Sequence, residues 1–175
     1  TVLECKYLDY FRNLKMCHVS AIDESTKIMV THAGISPSIP LSDHIQIAGY
    51  TDLQEYILKK HLEPGDSFLW VRDEFFYASS ELWEDYLVFY VHTPVNKLHR
   101  FVDLDNNGEW DFYESDIAIR YNRMKSHPVS IDIDSGSTIS GRLSGLGLIP
   151  SDGRIKLVSV TVSVEDTVKR DLAIF

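Results

Sequence analysis

Hydrophobic residues recur at helical spacing in two stretches of the chain, and both stretches predict amphipathic helices. In VLECKYLDYFRNL the positions that share one face are Leu3, Tyr7, Tyr10, Phe11 and Leu14. In the second stretch, residues 51–62, Thr51 or Asp52 supplies the start signal and Pro64-Gly65 supplies the stop. The first helix has no start signal other than Thr1. This favours the hypothesis that more chain preceded it.

Short β-branched and aromatic runs predict strands, and two of these strands end at a histidine. KIMVT, residues 27–31, follows a polar turn and leads into His32-Ala33-Gly34. LVFYV, residues 87–91, leads into His92-Thr93-Pro94. Between them, FLWV has no alternation of apolar and polar residues, which indicates a short buried segment before a surface turn. The pattern therefore places two histidines on rigid strand ends.

The last third of the chain alternates apolar and polar residues, which is typical of β-strands. VSIDIDSG, residues 129–136, alternates and then turns at Ser135-Gly136. GRLSGLGLI and IKLVSVTVSV are joined by the Asp-Gly turn of PSDGRI, and the second run has the pattern of a strand with one wet face. We therefore predict an antiparallel meander at one side of a mixed sheet with flanking helices, in one α/β domain covering residues 1–175.

Composition and charge narrow the class of protein. The 175 residues are 44% hydrophobic and carry 26 acidic against 17 basic side chains, a net charge of −9. A chain of this size can bury a real core. The acidic balance without a basic cluster argues against nucleic acid as a partner. No apolar run is long enough to cross a membrane, and Cys5 and Cys17 form no CxxC motif. These features predict a soluble protein of a reducing, cytoplasmic compartment, with each cysteine a small buried side chain.

Residues 103–114, DLDNNGEWDFYE, match the twelve-position calcium loop of an EF-hand. The oxygen ligands would come from Asp103, Asp105, Asn107, Glu109 and Glu114. Asp111 could add a contact through water, and Gly108 would allow the sharp turn. The flanks fit less well, because Trp110 stands where a small aliphatic residue is usual and the residues after the loop suit a strand as well as a helix. The two interpretations are a calcium site and a solvated acidic hairpin.

The strand-end histidines have two interpretations of their own. A transition metal is bound by imidazole nitrogens held on rigid elements, and the ends of two strands offer that rigidity. Alternatively, His32 and His92 are polar residues that end their strands and hydrogen-bond to backbone. Spacing alone leaves both interpretations open.

Four blocks occur in an order that carries more information than either histidine alone: IMVTHAGISPSIPL, FLWVRDEF, VFYVHTPV and IDIDSGSTISGRL. Together they resemble the C-terminal half of the calcineurin-like metallophosphoesterases, in the bacterial branch similar to serine/threonine protein phosphatases and diadenosine tetraphosphatases. The resemblance covers residues 27–148. It implies a β-sandwich covered by helices, of which this chain is the C-terminal half. It also implies that His32 and His92 are ligands of a dinuclear metal centre and that Arg72 contacts phosphate, although Arg72 also suits a surface ion pair.

Two departures from the family pattern accompany the resemblance. Val91 stands where the family usually has glycine before the second histidine. The motifs that supply the other metal ligands and the general acid are absent, so we expect the chain to be inactive by itself and to be a fragment of a longer enzyme. The complete enzyme is expected to hydrolyse phosphomonoesters or phosphoanhydrides with manganese, iron or zinc. Its substrate is a phosphorylated protein or a small phosphate ester or nucleotide, and a homo-oligomer is compatible with an unpaired sheet edge.

Overall fold

The computed structural model of the protein describes residues 15, 17–24, 26–47, 68–83, 85–98, 102, 109–113, 116–122, 127–152, 154–163 and 165–174. Both amphipathic helices predicted from the sequence, at residues 2–14 and 51–62, lie outside these ranges. The chain divides into two compact units, an N-terminal unit of residues 1–86 and a C-terminal unit of residues 87–175. The prediction of one domain stays a prediction.

The described residues form two sheets and a few short helices. The strands are β1 (Cys17–Ala21), β2 (Lys27–Thr31), β3 (Tyr86–Tyr90), β4 (Trp110–Tyr113), β5 (Ile117–Tyr121), β6 (Pro128–Asp132), β7 (Leu143–Ser151), β8 (Arg154–Val162) and β9 (Thr167–Ile174). Six of them form one sheet in the order β1-β2-β3-β6-β5-β4, and the other three form the order β7-β8-β9. The β3–β6 pair is parallel, whereas the β1–β2, β4–β5 and β5–β6 pairs are antiparallel. The predicted α/β class with a mixed sheet is therefore confirmed.

The α-helices in the described ranges are α1 (Leu41–Ile47), α2 (Asp73–Tyr77), α3 (Val95–Leu98) and α4 (Ser137–Ser140), and Ser80–Trp83 form a 3₁₀ turn. None of these helices is long and apolar enough to cross a bilayer. Proline and serine within residues 34–43 predict an extended loop, but α1 begins inside that segment. It begins there because the carbonyl of Pro40 accepts the N–H groups of Asp43 and His44, at 2.9 and 3.2 Å.

Residues 68–83 form the aromatic part of the N-terminal unit. The predicted buried segment FLWV is confirmed only in part: Phe68 and Val71 are buried, whereas Trp70 is 54% exposed and residues 68–70 themselves form a turn. The ring of Phe75 lies 5.1 Å from that of Trp83, and both side chains are 1% exposed. These rings give the N-terminal unit a compact aromatic core, since tilted aromatic pairs pack closely at such distances.

The strand β6 lies between β3 and β5 and is buried on both faces. Alternation along the sequence placed Ser130 and Asp132 on the face opposite Val129 and Ile131. The structure keeps the alternation but buries both sets completely or almost completely. Both faces of this strand are therefore covered by other parts of the protein, which could not be read from its own residues.

The predicted antiparallel meander is confirmed only for its last two segments, which pair as β7 and β8. The first segment, β6, lies in the six-stranded sheet, and the third strand beside β8 is β9, which the pattern did not predict. β7 and β8 pair from Ser151–Arg154 to Leu143–Val162, and the connection contains Asp152 with a φ of 50°. The exposed face of β8 is the apolar face, although the alternating pattern favours exposure of the polar face. Val160 and Val162 are 38% and 46% exposed, whereas Ser159 and Thr161 are at most 2% exposed. On this buried polar face, the hydroxyl groups of Thr161 and Ser144 share a 3.0 Å hydrogen bond, which offsets the burial of Thr161.

Cys17 is a buried, reduced thiol at the start of β1. Burial raises its pKa to about 11, a change that the positive charge of Lys15 only partly opposes. The prediction of a small buried side chain is confirmed for Cys17, and Cys5 lies outside the described residues. A thiol with this pKa is a poor nucleophile near neutral pH.

Candidate functional site

His32 follows β2 directly and is exposed. The backbone after it turns away from the strand, because the N–H of Ala33 donates to the carbonyl of Phe68. Gly34 has a φ of 130°, and a Cβ at that position would lie 2.5 Å from the Phe75 ring. Only glycine allows this conformation and this approach, so the residues beside His32 are fixed by the segment that contains Phe68 and Phe75.

The loop after Gly34 is anchored by a buried histidine. His44, on α1, is fully buried, and its Nε2 lies 3.0 Å from the carbonyl oxygen of Ser36. A carbonyl oxygen only accepts, so Nε2 carries the proton in this hydrogen bond. The His44 ring also packs against Phe68 at 4.6 Å between centroids. His44 therefore supports the segment that begins with His32-Ala33-Gly34, called the HAG block below. The sequence pattern did not indicate this structural role.

Arg72 is exposed and lies immediately before α2. Its backbone carbonyl accepts the N–H groups of Phe75 and Phe76 at 2.9 and 3.0 Å. The first turn of α2 therefore fixes the backbone from which the Arg72 side chain projects. The FLWVRDEF block and the HAG block pack together in the N-terminal unit through the two contacts described above for Ala33 and Gly34.

His92 comes two residues after β3 and has a φ of 81°, in the left-handed region. Apart from the hairpin residue Asp152, it is the only non-glycine residue in the described ranges with a positive φ. Such conformations are disfavoured by roughly 1–3 kcal/mol and are enriched at functional sites.

The segment after His92 is fixed by the IDIDSG block. The N–H of Val95 donates to the carbonyl of Asp134 at 2.9 Å, and the N–H of Ile133 donates to the carbonyl of Tyr90 at 3.1 Å. A Cβ on Gly136, whose φ is 65°, would lie 3.3 Å from Pro94. The HTP and IDIDSG blocks therefore pack together in the C-terminal unit, as the other two blocks do in the N-terminal unit.

Two buried ionisable groups lie on β3 and β6, and sequence patterns missed both. Tyr90 and Asp132 are paired across the parallel strands and are at most 1% exposed. Burial raises the pKa of Asp132 well above its usual range, although a 2.9 Å hydrogen bond from the N–H of Asp134 opposes the change. Burial also raises the pKa of Tyr90, and the negative charge of Asp132 adds to it. Both groups therefore favour their neutral forms.

The calcium-loop residues fall partly outside the described ranges. Asp103, Asp105, Asn107 and Glu114 are among those not described. Glu109 is 9% exposed and pairs with Arg120, whose Nη2 lies 3.2 Å from Glu109 Oε2. Asp111 lies in β4, opposite Ile119 of β5. Glu109 is therefore engaged by a cation, and the chain forms a strand where an EF-hand has its exiting helix.

The described part of the chain does not contain a complete set of metal ligands. It contains no group of three or more histidine, cysteine, aspartate or glutamate side chains placed to hold one ion. His32 and His92 belong to different units, and each brings one imidazole donor. The donor chemistry suits a transition metal, but two imidazoles do not complete a dinuclear site.

A second polar cluster was also missed by sequence patterns. Asp116, between β4 and β5, is fully buried and contacts Arg142 and Arg170. No local signal could have found this cluster, because its members are 26 and 54 residues apart in sequence.

No protein-family model matches the chain, and neither the curated proteins nor the solved structures contain a match to it.

Proposed function

We propose that this chain is part of a metal-dependent phosphoesterase similar to the serine/threonine protein phosphatases, with His32 and His92 as metal ligands. The observation that carries the proposal is the packing of the four motif blocks in two pairs. Ala33 and Gly34 contact the FLWVRDEF segment, and the residues after His92 contact Asp134 and Gly136. Residues that recur in order and also meet in space are more informative than the same residues scattered over the surface.

The backbone around the two histidines supports a role in binding. Gly34 needs a conformation that other residues rarely adopt, and His92 itself adopts a left-handed one. Strained backbone persists where the surrounding structure holds it, and it concentrates where side chains must be oriented for a ligand. Both histidines thus stand on segments whose conformation is fixed by tertiary contacts.

Each side chain has a separate task in the proposed reaction. His32 and His92 each donate one imidazole nitrogen to a metal, and the exposed guanidinium of Arg72 binds two oxygens of the phosphate and orients it. Bound metal ions would supply a hydroxide nucleophile and neutralise charge on the phosphate oxygens. The remaining ligands and the general acid would have to come from residues outside the four blocks.

The metal and the substrate follow from the same resemblance, whereas the compartment and the excluded partners follow from composition and charge. Histidine and carboxylate ligands accept manganese, iron or zinc. The substrate is a phosphomonoester or phosphoanhydride, carried by a phosphorylated protein or by a small molecule such as a nucleotide. The enzyme acts in the cytoplasm, without nucleic acid or membrane partners, and can form homo-oligomers.

The test is phosphatase activity of the whole protein as its gene encodes it. With manganese and an aryl phosphate as substrate, we expect His32→Ala and His92→Ala each to lower kcat/KM by at least about 100-fold, since even residues that only support a metal ligand contribute 10–100-fold. His18→Ala is the matched control, because His18 is an exposed histidine on β1. Unchanged hydrolysis by either of the first two variants would refute the assignment of that ligand.

The calcium-binding alternative is tested separately by calorimetric titration of calcium, with Glu114→Gln as the comparison. Because Arg120 engages Glu109 and β4 occupies residues 110–113, we expect no heat of binding at millimolar calcium. A saturable heat that Glu114→Gln abolishes would favour the calcium module instead.

A further inference from the structure

His92 lies in the four-residue segment between Tyr90 and Val95, and two neighbouring residues of another segment hold both of its ends. At the start, the carbonyl oxygen of Tyr90 accepts the N–H of Ile133 at 3.1 Å. At the end, the N–H of Val95 donates to the carbonyl oxygen of Asp134 at 2.9 Å. Residues five positions apart in an extended chain are separated by about 17 Å, whereas neighbouring residues are separated by about 3.8 Å. The chain therefore has to turn within this segment.

The sequence explains why His92 is the residue that takes the left-handed conformation in this turn. Pro94 has a φ of about −65°, and the residue before a proline favours an extended backbone, which argues against Thr93. A β-branched residue such as Val91 is strongly disfavoured at positive φ, whereas histidine is enriched there among residues other than glycine. His92 has a φ of 81°, and none of the other three residues has a positive φ.

The residues that hold this segment are themselves fixed by two aspartate side chains. Asp132 Oδ1 accepts the N–H of Asp134 at 2.9 Å, and Asp134 Oδ1 accepts the N–H of Gly136 at 2.8 Å. An aspartate that bonds the backbone two residues further on fixes a turn without help from a helix or a sheet. Asp132 is fully buried at the end of β6, so the first of these turns is anchored in the sheet. Asp134 thus connects the sheet to the His92 segment.

Asp134 holds the His92 segment directly and through Gly136. Its carbonyl oxygen binds the N–H of Val95, and its carboxylate binds the N–H of Gly136. Gly136 also contacts the segment, because a Cβ built on it would lie 3.3 Å from the Cβ of Pro94. On either side of that proline, Thr93 and Val95 are 4% and 0% exposed. Loss of the Asp134 carboxylate should therefore loosen both contacts of the segment together.

The simpler interpretation is that Asp134 only starts the helix α4. Its bond to Gly136 lies immediately before that helix, and aspartate is common at helix starts. In that case, removal of the carboxylate would free the N–H of Gly136 and leave the N–H of Val95 as protected as before. The two interpretations therefore predict different amide groups to become labile.

We propose that Asp134 is a positioning residue, which keeps His92 in its left-handed conformation and thereby sets the direction of the His92 imidazole. The effect passes through the backbone, from the Asp134 carbonyl to Val95, without contact between Asp134 and a substrate. The conformation belongs to the protein alone and is measured without any ligand. Only the consequence for hydrolysis rests on the proposed phosphoesterase function, in which His92 is a metal ligand.

Amide hydrogen exchange of the whole protein, resolved to single residues by NMR, tests the positioning. Ile119 is the internal reference, because it is fully buried in the central strand β5 and reports any general loss of stability. In Asp134→Ala we expect the exchange rate of Val95 relative to Ile119 to rise about 5- to 10-fold, the effect of losing one intramolecular hydrogen bond. Asp134→Asn keeps a side-chain oxygen that accepts the N–H of Gly136, so the ratio should stay within about 2-fold of its original value.

Asp166→Ala is the matched control. Asp166 is exposed in the same C-terminal unit, and its Oδ1 accepts the N–H of Thr167 at 2.7 Å. The variant removes one negative charge and one backbone hydrogen bond, as Asp134→Ala does, but in the turn between β8 and β9. The exchange ratio of Val95 to Ile119 should equal that of the unmodified protein.

The same variants test the consequence for the proposed reaction. In the phosphatase assay described above, Asp134→Ala should lower kcat/KM about 10- to 100-fold, the range found for residues that orient a metal ligand. Asp134→Asn should restore most of this loss because it keeps the acceptor oxygen. Adding Asp134→Ala to His92→Ala should lower kcat/KM no further, because Asp134 acts through His92.

Three results would overturn the proposal. Faster exchange at Gly136 without faster exchange at Val95 relative to Ile119 would mean that Asp134 only starts α4. Equal exchange at Val95 in Asp134→Asn and Asp134→Ala would mean that the acceptor oxygen is not the cause. Hydrolysis that His92→Ala lowers and Asp134→Ala leaves unchanged would remove the positioning role and leave the phosphoesterase function standing. If the exchange results hold while His92→Ala hydrolyses normally, the positioning is supported and the assignment of His92 as a metal ligand is refuted.

Discussion

Replacing Gly34 by alanine should destabilise the N-terminal unit by about 2–6 kcal/mol. The φ of 130° is rarely adopted by residues with a side chain, which contributes roughly 1–3 kcal/mol. The new Cβ would also lie 2.5, 2.8 and 2.9 Å from three atoms of the Phe75 ring. That ring is 1% exposed and cannot move without disturbing its neighbours, so overpacking adds about 1–3 kcal/mol.

Gly141→Ala isolates the backbone contribution. Gly141 has a φ of 66° at the end of α4, and a Cβ there would meet no atom within 4 Å. We expect a loss of about 1–2 kcal/mol, the usual effect of a left-handed conformation on a residue with a Cβ. The difference between the two variants estimates the packing contribution at Gly34.

The packing contribution is measured directly by a double-mutant cycle between Gly34→Ala and Phe75→Leu. The smaller side chain should relieve the overlap, so the double variant should be more stable than the sum of the single changes by about 1–3 kcal/mol. Urea unfolding followed by tryptophan fluorescence is suitable, because Trp83 lies 5.1 Å from Phe75. A loss at Gly34 no larger than that at Gly141, with no coupling to Phe75, would refute the close approach.

Three further predictions follow from the buried charges and from Arg72. Arg120→Met should lower the free energy of unfolding by about 3–5 kcal/mol because it leaves Glu109 buried without its cation. In the same urea assay Lys156→Met, which breaks a surface pair, should cost less than about 1 kcal/mol. Burial raises the pKa of Asp132, so the folded protein holds that proton more tightly, and stability should fall as the pH rises above about 4. Thermal unfolding at a series of pH values should show this fall flattened in Asp132→Asn. In the phosphatase assay described above, Arg72→Gln should raise KM about 10- to 100-fold. Its stability should be unchanged, since Arg72 is exposed. An unchanged KM would favour the interpretation of Arg72 as a surface ion-pair partner.

Local signals in the sequence predicted β2, β3, β6, β7 and β8, whereas β1, β4 and β9 were not predicted. KIMVT and the hairpin at Asp152 follow from β-branched runs and turn residues that act over a few positions. The order of the four motif blocks also came from the sequence, and it named His32, Arg72 and His92 before any contact was known. These features require no partner that is distant in the chain, which is why sequence patterns could find them.

Tertiary structure decided which polar residues are buried. Asp132 is buried because other parts of the protein cover both faces of its strand, and Val160 is exposed because the hydroxyl-bearing face of its strand is the buried one. A strand in which apolar and polar residues alternate has the same sequence pattern whichever of its two faces is covered by the rest of the protein.

The charge clusters were likewise decided by distant partners. Glu109 meets Arg120 from 11 residues away, and Asp116 meets Arg142 and Arg170 from 26 and 54 residues away. A charged residue in sequence carries no sign of whether it will be solvated or paired, because pairing depends on which elements the fold brings together. The sequence by itself thus predicted several strands and named the candidate ligands of the phosphoesterase proposal, and only the tertiary structure produced the contacts of Glu109 and Asp116 with their arginines.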